Sequence, residues 1–293
     1  MIQAFLHHIR RLLLTIVSWF SPIVSWFSPA ARVTATPISS QWKSFLNQQV
    51  SFYRQLSAQD QNLFDQRLQL FLQTTEIVAY GTEVSDEDRL LVAASAIIPV
   101  WAFPKWHYFN LKRVILLPGA FNDGFATQQP DSVMQGIVGT GPMKDKMVLS
   151  KPALHYGFSN DRDKRNVGIH EFAHLIDMAD GDGDGFPERL KEYAFSIPWF
   201  ELARKKINAI EKKRTNIHSY GATNSIEFFA VATEYFFERP KMLQSKHPEL
   251  YESLKAFYHQ DLAAIAQDIA PRKNSPCPCG SGRKYKRCCM PKD

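Results

Sequence analysis

Between Asn166 and Ala179 the chain reads as one helix, and it carries His170-Glu171-Phe172-Ala173-His174. This pentapeptide limits the fold more than any other stretch. Residues four apart lie on one face of a helix, so both imidazoles can reach a single ion. Glu171 stands beside them, where it can take a proton from an attacking water. Ile169, Phe172, Ala173 and Ile176 form a separate apolar face that can anchor the helix in a core. The chain must therefore bury one side of this helix and open the other onto a cleft. Five residues can also match by chance, so the reading needs a third ligand from elsewhere, because a catalytic zinc commonly has three protein ligands and an open position.

No further histidine follows His174 at the spacing that would complete such a site on the same segment. A better candidate is Glu227, at the start of a second predicted helix running from Ser225 to about Glu238 and closed by Pro240. Glu227 also stands three residues after Asn224, where a capping-box partner would sit. The spacing leaves both roles open. Asp177 and Glu234 are polar residues placed to orient a ligand histidine, or simply to be structural, with the structural role favoured for Glu234. The run Asp180-Gly-Asp182-Gly-Asp184-Gly185 lacks the carboxylate that a calcium loop needs at its twelfth position, which here is Lys191. It reads as a tight turn ending the metal helix.

Other segments supply the frame. Ser57 followed by Asp60 starts a helix with Leu63, Phe64, Leu68, Phe71 and Leu72 at helical spacing. Ser85 to Ile98 repeats the pattern and Pro99 stops it. Pro198–Ile210 is a further helix, with the proline in its first turn. Val114–Leu117 and Met147–Ser150 read as short strands. The expected class is α+β, mostly helical, with a small sheet and a folded body over residues 42–270.

Both ends of the chain differ from this body. Residues 12–31 carry no charged side chain and contain the seven-residue unit Ile16–Pro22 repeated as Ile23–Pro29, each with a Trp-Phe pair. Aromatics of this kind favour a membrane interface. An interfacial anchor, a signal-like segment and a cytosolic docking arm all fit residues 1–41, with a cleaved signal disfavoured. At the other end, Cys277-Pro-Cys279-Gly-Ser-Gly precedes Cys288-Cys289, and the body has no cysteine. Four thiolates can close a tetrahedral structural zinc site, and so small a module, residues 271–293, folds around its metal rather than around a core. Thiolates need a reducing compartment, which points to the cytoplasm. The formal net charge of +6 is carried by this tail, through Arg272, Lys273, Arg283, Lys284, Lys286, Arg287 and Lys292 against Asp293. The near-neutral body has no electrostatic case for nucleic acid, whereas the tail is suited to docking on an acidic partner.

His170-Glu-Phe-Ala-His174-Leu-Ile-Asp177, Gly185-Phe-Pro187 and Asn224-Ser-Ile-Glu227-Phe-Phe-Ala-Val231-Ala-Thr-Glu234-Tyr-Phe-Phe237 together resemble the Mlc titration factor A family over roughly residues 42–260. These are bacterial zinc peptidases of aminopeptidase type. The arrangement with Ser219-Tyr220-Gly221 ahead of the glutamate helix also resembles the catalytic domain of anthrax lethal factor. The resemblance implies a zincin-like, gluzincin-type domain with His170, His174 and Glu227 as zinc ligands, Glu171 as general base and Tyr220 near the metal, where its phenol would stabilise an oxyanion. It further implies a peptide substrate and, in this family, a transcriptional repressor as a protein partner. The tail resembles the SEC-C motif, found at the end of the SecA translocase, which implies Cys277, Cys279, Cys288 and Cys289 as ligands of a second, structural Zn²⁺ and raises the export machinery as a partner.

Overall fold

A computed structural model describes residues 37–139, 141–160, 163–187 and 196–265, with Arg283, Lys284 and Arg287 as isolated positions. The chain divides into two units, Met1–Thr36 and Pro37–Asp293, and everything described here belongs to the second. The aromatic repeat and the four cysteines lie outside the described residues.

The described chain is mostly helical and surrounds one four-stranded sheet. It opens with α1 (Ser40–Gln49), α2 (Ser51–Gln55) and α3 (Ala58–Thr74). Strand β1 (Glu76–Ala79) leads into α4 (Asp86–Ile97), and β2 (Arg113–Leu117) follows. A long connection reaches β3 (Gly136–Val138), and β4 (Lys146–Ser150) runs directly into α5 (Lys151–Ser159). Then come α6 (Val167–Asp177), α7 (Ser196–Glu211), α8 (Ser225–Glu238), α9 (Pro240–Lys246), α10 (Pro248–Tyr258) and α11 (Leu262–Ile265).

Polar residues at the predicted starts do what their chemistry allows. Ser57 accepts from the Asp60 amide, and Ser85 forms a reciprocal capping box with Asp88. Asn166 accepts from the Ile169 amide and so starts α6 one residue before Val167. Leu63, expected on the apolar face of α3, is instead 42% exposed, because the buried stripe is carried by Phe64, Leu68 and Phe71. Pro240 closes α8 and at the same time opens α9, where a proline costs no hydrogen bond.

The sheet order is β1-β2-β4-β3. The first three strands are parallel, and β3 joins β4 antiparallel at the edge, with Ile137 opposite Val148. Parallel strands need crossover connections, and α4 supplies one of them. One face packs on α4 and α6 through Leu90, Ala94, Val114, Leu149, Ile169 and Phe172. A second apolar cluster centres on α8, where Phe228, Phe229, Tyr235 and Phe236 meet Trp199 and Tyr258. The helices α4 and α6 approach closely because Gly168 has no side chain: a Cβ there would lie 2.1 Å from Ser95 Oγ.

A buried polar knot holds the loop that precedes Ser219. His247 Nε2 lies 2.8 Å from Asn216 Oδ1, and Asn216 Nδ2 donates to the Tyr235 hydroxyl at 2.7 Å. Burial, together with Lys206, Lys164 and Lys246, pushes the His247 pKa down from 6.5 to about 4. A histidine held neutral in the fold binds its proton more readily when unfolded, so stability is full above pH 6.5 and falls as the pH drops towards 4. The full effect is on the order of 3 kcal/mol. Urea unfolding at pH 7 and at mildly acid pH should show this loss, and His247→Gln should flatten the part of the pH slope that belongs to this residue.

Candidate metal centre

Three donors converge where α6 crosses the first turn of α8. His170 Nε2 lies 3.0 Å from Glu227 Oε2, and His174 Nε2 lies 3.4 Å from the same oxygen. The ring centroids of His170 and His174 are 4.7 Å apart. The three ligand atoms all lie within 4.8 Å of one another, and among the described residues no other group of His, Cys, Asp and Glu side chains is so placed. The acidic run Asp180, Asp182 and Asp184 forms no such group, in keeping with its reading as a turn. Zinc bonds of ~2.0–2.2 Å set neighbouring corners of a tetrahedron roughly 3.4 Å apart. The observed spacings fit that size, and two imidazoles with one carboxylate are donors that zinc accepts.

Local structure places each donor. The i,i+4 spacing puts both imidazoles on the same face of α6, as the sequence requires. Glu227 occupies the third position of α8, and Asn224 Oδ1 accepts from its backbone amide at 2.8 Å. The two roles left open for Glu227 are therefore divided between its atoms: the backbone is capped, while the side chain turns to the histidines. No reciprocal capping box forms.

The turn after α6 joins the two halves of the site. Asp177 Oδ2 accepts from the Gly185 amide at 2.9 Å, Trp199 Nε1 donates to the Gly185 carbonyl at 3.0 Å, and Ser225 Oγ donates to the Asp184 carbonyl at 2.7 Å. Gly185 has φ +79°, and a Cβ there would sit 2.3 Å from the Ser225 carbonyl oxygen. Only glycine fits both demands. The end of the histidine helix is thus fastened to the start of the glutamate helix two residues before Glu227. Asp177 serves this turn and does not bond His174, whose Nδ1 has no protein partner. Burial, offset by the Gly185 amide and reinforced by Asp184, raises the Asp177 pKa to about 7.

Glu234 corrects the sequence expectation in the other direction. Its Oε1 lies 2.8 Å from His170 Nδ1, and its Oε2 accepts from the Asn166 amide at 2.5 Å. One carboxylate therefore fixes both the ring of His170 and the start of α6. With a metal bound, the same contact would keep the proton on Nδ1 and leave Nε2 to act as the ligand atom. Glu234→Gln should weaken zinc affinity by about 10–100-fold. Competition with a chromophoric chelator measures this, and an unchanged affinity would remove Glu234 from the site.

Glu171 is 5% exposed and lies beside both histidines. Burial raises its pKa, with the histidines opposing. Strand β3 passes against it: a Cβ on Gly136 would come within 2.5 Å of Glu171 Oε1. Sequence reasoning missed Gly136, because a three-residue strand has no readable periodicity. Burial tends to lower the His170 pKa, but Glu234 and Glu227 outweigh it and hold it well above the ordinary value. Burial works against ionisation of Glu227, yet its contacts with His170 and His174 keep it far below the usual carboxylate range. Tyr220 lies in the short helix Ser219–Ala222, with its ring 5.9 Å from that of His170. It is half exposed, and its pKa is raised by burial and then by the charges of Glu227 and Glu171.

A buried carboxylate beside two imidazoles, with a distal carboxylate closing the donor set, defines the class of metal-dependent hydrolases as the candidate. The family described as glucose-regulated metallo-peptidase M90 matches residues 25–259, and the chain belongs to that family. A SEC-C motif matches residues 274–291. An uncharacterized protein of Synechocystis sp. is 32% identical over 76% of this chain and 84% of its own length. Proteins named Mlc titration factor A are also similar. That of Serratia proteamaculans is 24% identical over 72% of this chain and 83% of its own, and that of Salmonella arizonae is 26% identical over 70% and 86%. The family and the motif together suggest zinc binding.

Proposed function

We propose that the chain is a zincin-like, zinc-dependent peptidase of aminopeptidase type. Its division would be an N-terminal segment (1–41), a gluzincin-type catalytic domain (42–270) and a SEC-C tail (271–293). The observation that carries the reading is the buried Glu171 carboxylate beside the His170, His174 and Glu227 donor set. When bound, zinc supplies Lewis acidity, which polarises the scissile carbonyl and makes water nucleophilic at neutral pH. Glu171 takes the proton of the attacking water and delivers it to the leaving amine. The Tyr220 phenol donates to the developing oxyanion. Strand β3 sits at the sheet edge beside Glu171, and an extended peptide pairing with such an edge would bring its backbone past that carboxylate.

Cys277, Cys279, Cys288 and Cys289 would hold a second, structural zinc in a basic module that docks on a protein partner. The motif favours the export machinery as a partner of this tail, and, separately from the tail, relatives named Mlc titration factor A favour a repressor as a partner of the chain. The thiol tail favours a reducing compartment such as the cytoplasm, and the Trp-Phe repeat favours contact with a membrane surface. Among the described residues no helix is long and apolar enough to cross a membrane. The test is a panel of aminoacyl chromogenic substrates given to the full chain. Hydrolysis should disappear with a chelator and return with zinc. Activity unaffected by complete metal removal would overturn the reading.

A further inference from the structure

We infer that Arg165 binds a carboxylate of the peptide substrate, either an acidic side chain next to the scissile bond or the free C-terminus of a short peptide. This deepens the peptidase reading and rests on it.

The segment that carries Arg165 is fixed from several sides. Arg165 immediately precedes Asn166, the cap of α6. Its own amide donates to Glu238 Oε2 at 2.9 Å and to Asp163 Oδ1 at 3.1 Å. The next amide, that of Asn166, is held by Glu234, the same carboxylate that orients His170. Glu234 and Glu238 stand one turn apart on α8, so two successive amides of the entry to the metal helix are tied to that helix. On the other side, Lys164 has φ +67°, an unusual backbone for a lysine, and its Nζ donates to the Asn216 carbonyl at 2.7 Å. Left-handed residues of this kind persist where the surroundings hold them in place.

The guanidinium is equally well aimed. Its Nε lies 3.2 Å from His218 Nε2, and Nη2 lies 2.5 Å from the same atom. His218 Nδ1 lies 3.3 Å from the Tyr220 amide, and the Tyr220 ring is the one that packs near His170. Arg165 is therefore two side chains from the metal donors, on the rim formed by Tyr220.

Among the described residues no carboxylate meets the Arg165 guanidinium, and the contact it makes is with an imidazole. Burial and Arg165 itself lower the His218 pKa, which favours a neutral ring, and its single lone pair serves either Arg165 at Nε2 or the Tyr220 amide at Nδ1, not both. A guanidinium has five N–H donors in a planar fork that matches a carboxylate bidentately. Arg165 is an exposed residue, and the guanidinium contacts seen among the described residues use Nε and Nη2 alone. A fork that no carboxylate among the described residues meets, held at the edge of a peptidase cleft, is suited to an anionic group on the substrate.

Two matched peptide pairs test this with the zinc-loaded full chain. One pair differs by Glu against Gln beside the scissile bond, the other by a free against an amidated C-terminus. Wild type should favour the carboxylate member of one pair by about 10–100-fold in kcat/KM, the range for a hydrogen bond to a charged group. The pair that responds identifies the source. In Arg165→Gln the ratio should fall to near one, and Arg165→Lys should keep part of it. Ratios near one in wild type, a ratio that survives in Arg165→Gln, or an equal loss on all four peptides would each overturn the proposal, the last because it marks Arg165 as a mere support for His218 and Tyr220. Should wild type cleave none of the peptides, the peptidase reading fails by itself. The same ratios read as Kd values on the Glu171→Gln chain then decide Arg165 independently.

Discussion

Glu171→Gln is expected to lower kcat by about 10²–10⁴-fold, the usual contribution of a positioned acid–base group, while zinc content stays at the wild-type level. The substitution preserves the shape of a side chain that is almost completely buried between the histidine pair and strand β3. It removes the only feature the mechanism uses, a carboxylate that exchanges a proton. Glu171 is not among the converging donors, so the metal should be unaffected. Gly136→Ala attacks the same group from the opposite side. Its new Cβ would overlap Glu171 Oε1, so the carboxylate must move or the edge strand must shift. Positioning to within an ångström controls rate, and activity should fall while zinc remains bound. Stopped assays with equal metal occupancy check both variants. Full activity in Glu171→Gln would show that the base is another group.

Glu227→Gln should fail differently, by losing the metal itself. Among the described residues, Glu227 supplies the only carboxylate oxygen that approaches both imidazoles, at 3.0 and 3.4 Å. A neutral amide binds zinc poorly and leaves two histidines where three donors are needed. The loss in affinity should exceed the roughly 10–100-fold that supporting residues such as Glu234 contribute. Excess zinc should restore only part of the activity. The variant should nevertheless fold, because the Asn224 cap bonds the backbone amide of residue 227 and not its side chain. Metal titration and far-ultraviolet circular dichroism together distinguish loss of the ligand from loss of the helix.

The parts of this molecule that were legible in advance are those fixed by local chemistry. Ser57, Ser85 and Asn166 mark helix starts because their side chains accept from amides three residues on. The histidine pair was legible because helix geometry alone brings the two rings together. Glu227 was half legible: its place on the helix was clear, but a cap and a ligand use the same spacing, and only the crossing of α6 and α8 shows the amide capped and the side chain turned to the histidines. The less legible features depend on contacts distant in sequence. Strand β3 has three residues and is defined by β4, and Gly136 matters only because Glu171 lies above it. Glu234 looked like an ordinary helix residue until Asn166 and His170 were found against its two oxygens. The contact between Arg165 and His218 spans 53 residues and follows no motif.

The most direct test of the metal centre is anomalous diffraction at the zinc edge from crystals of the full chain. The account predicts a peak roughly 2.0–2.2 Å from His170 Nε2, His174 Nε2 and a Glu227 carboxylate oxygen, with Glu171 beside the peak but outside bonding distance. A fully zinc-loaded crystal with no peak between those three side chains, or with Glu227 turned away from the histidines, would contradict it.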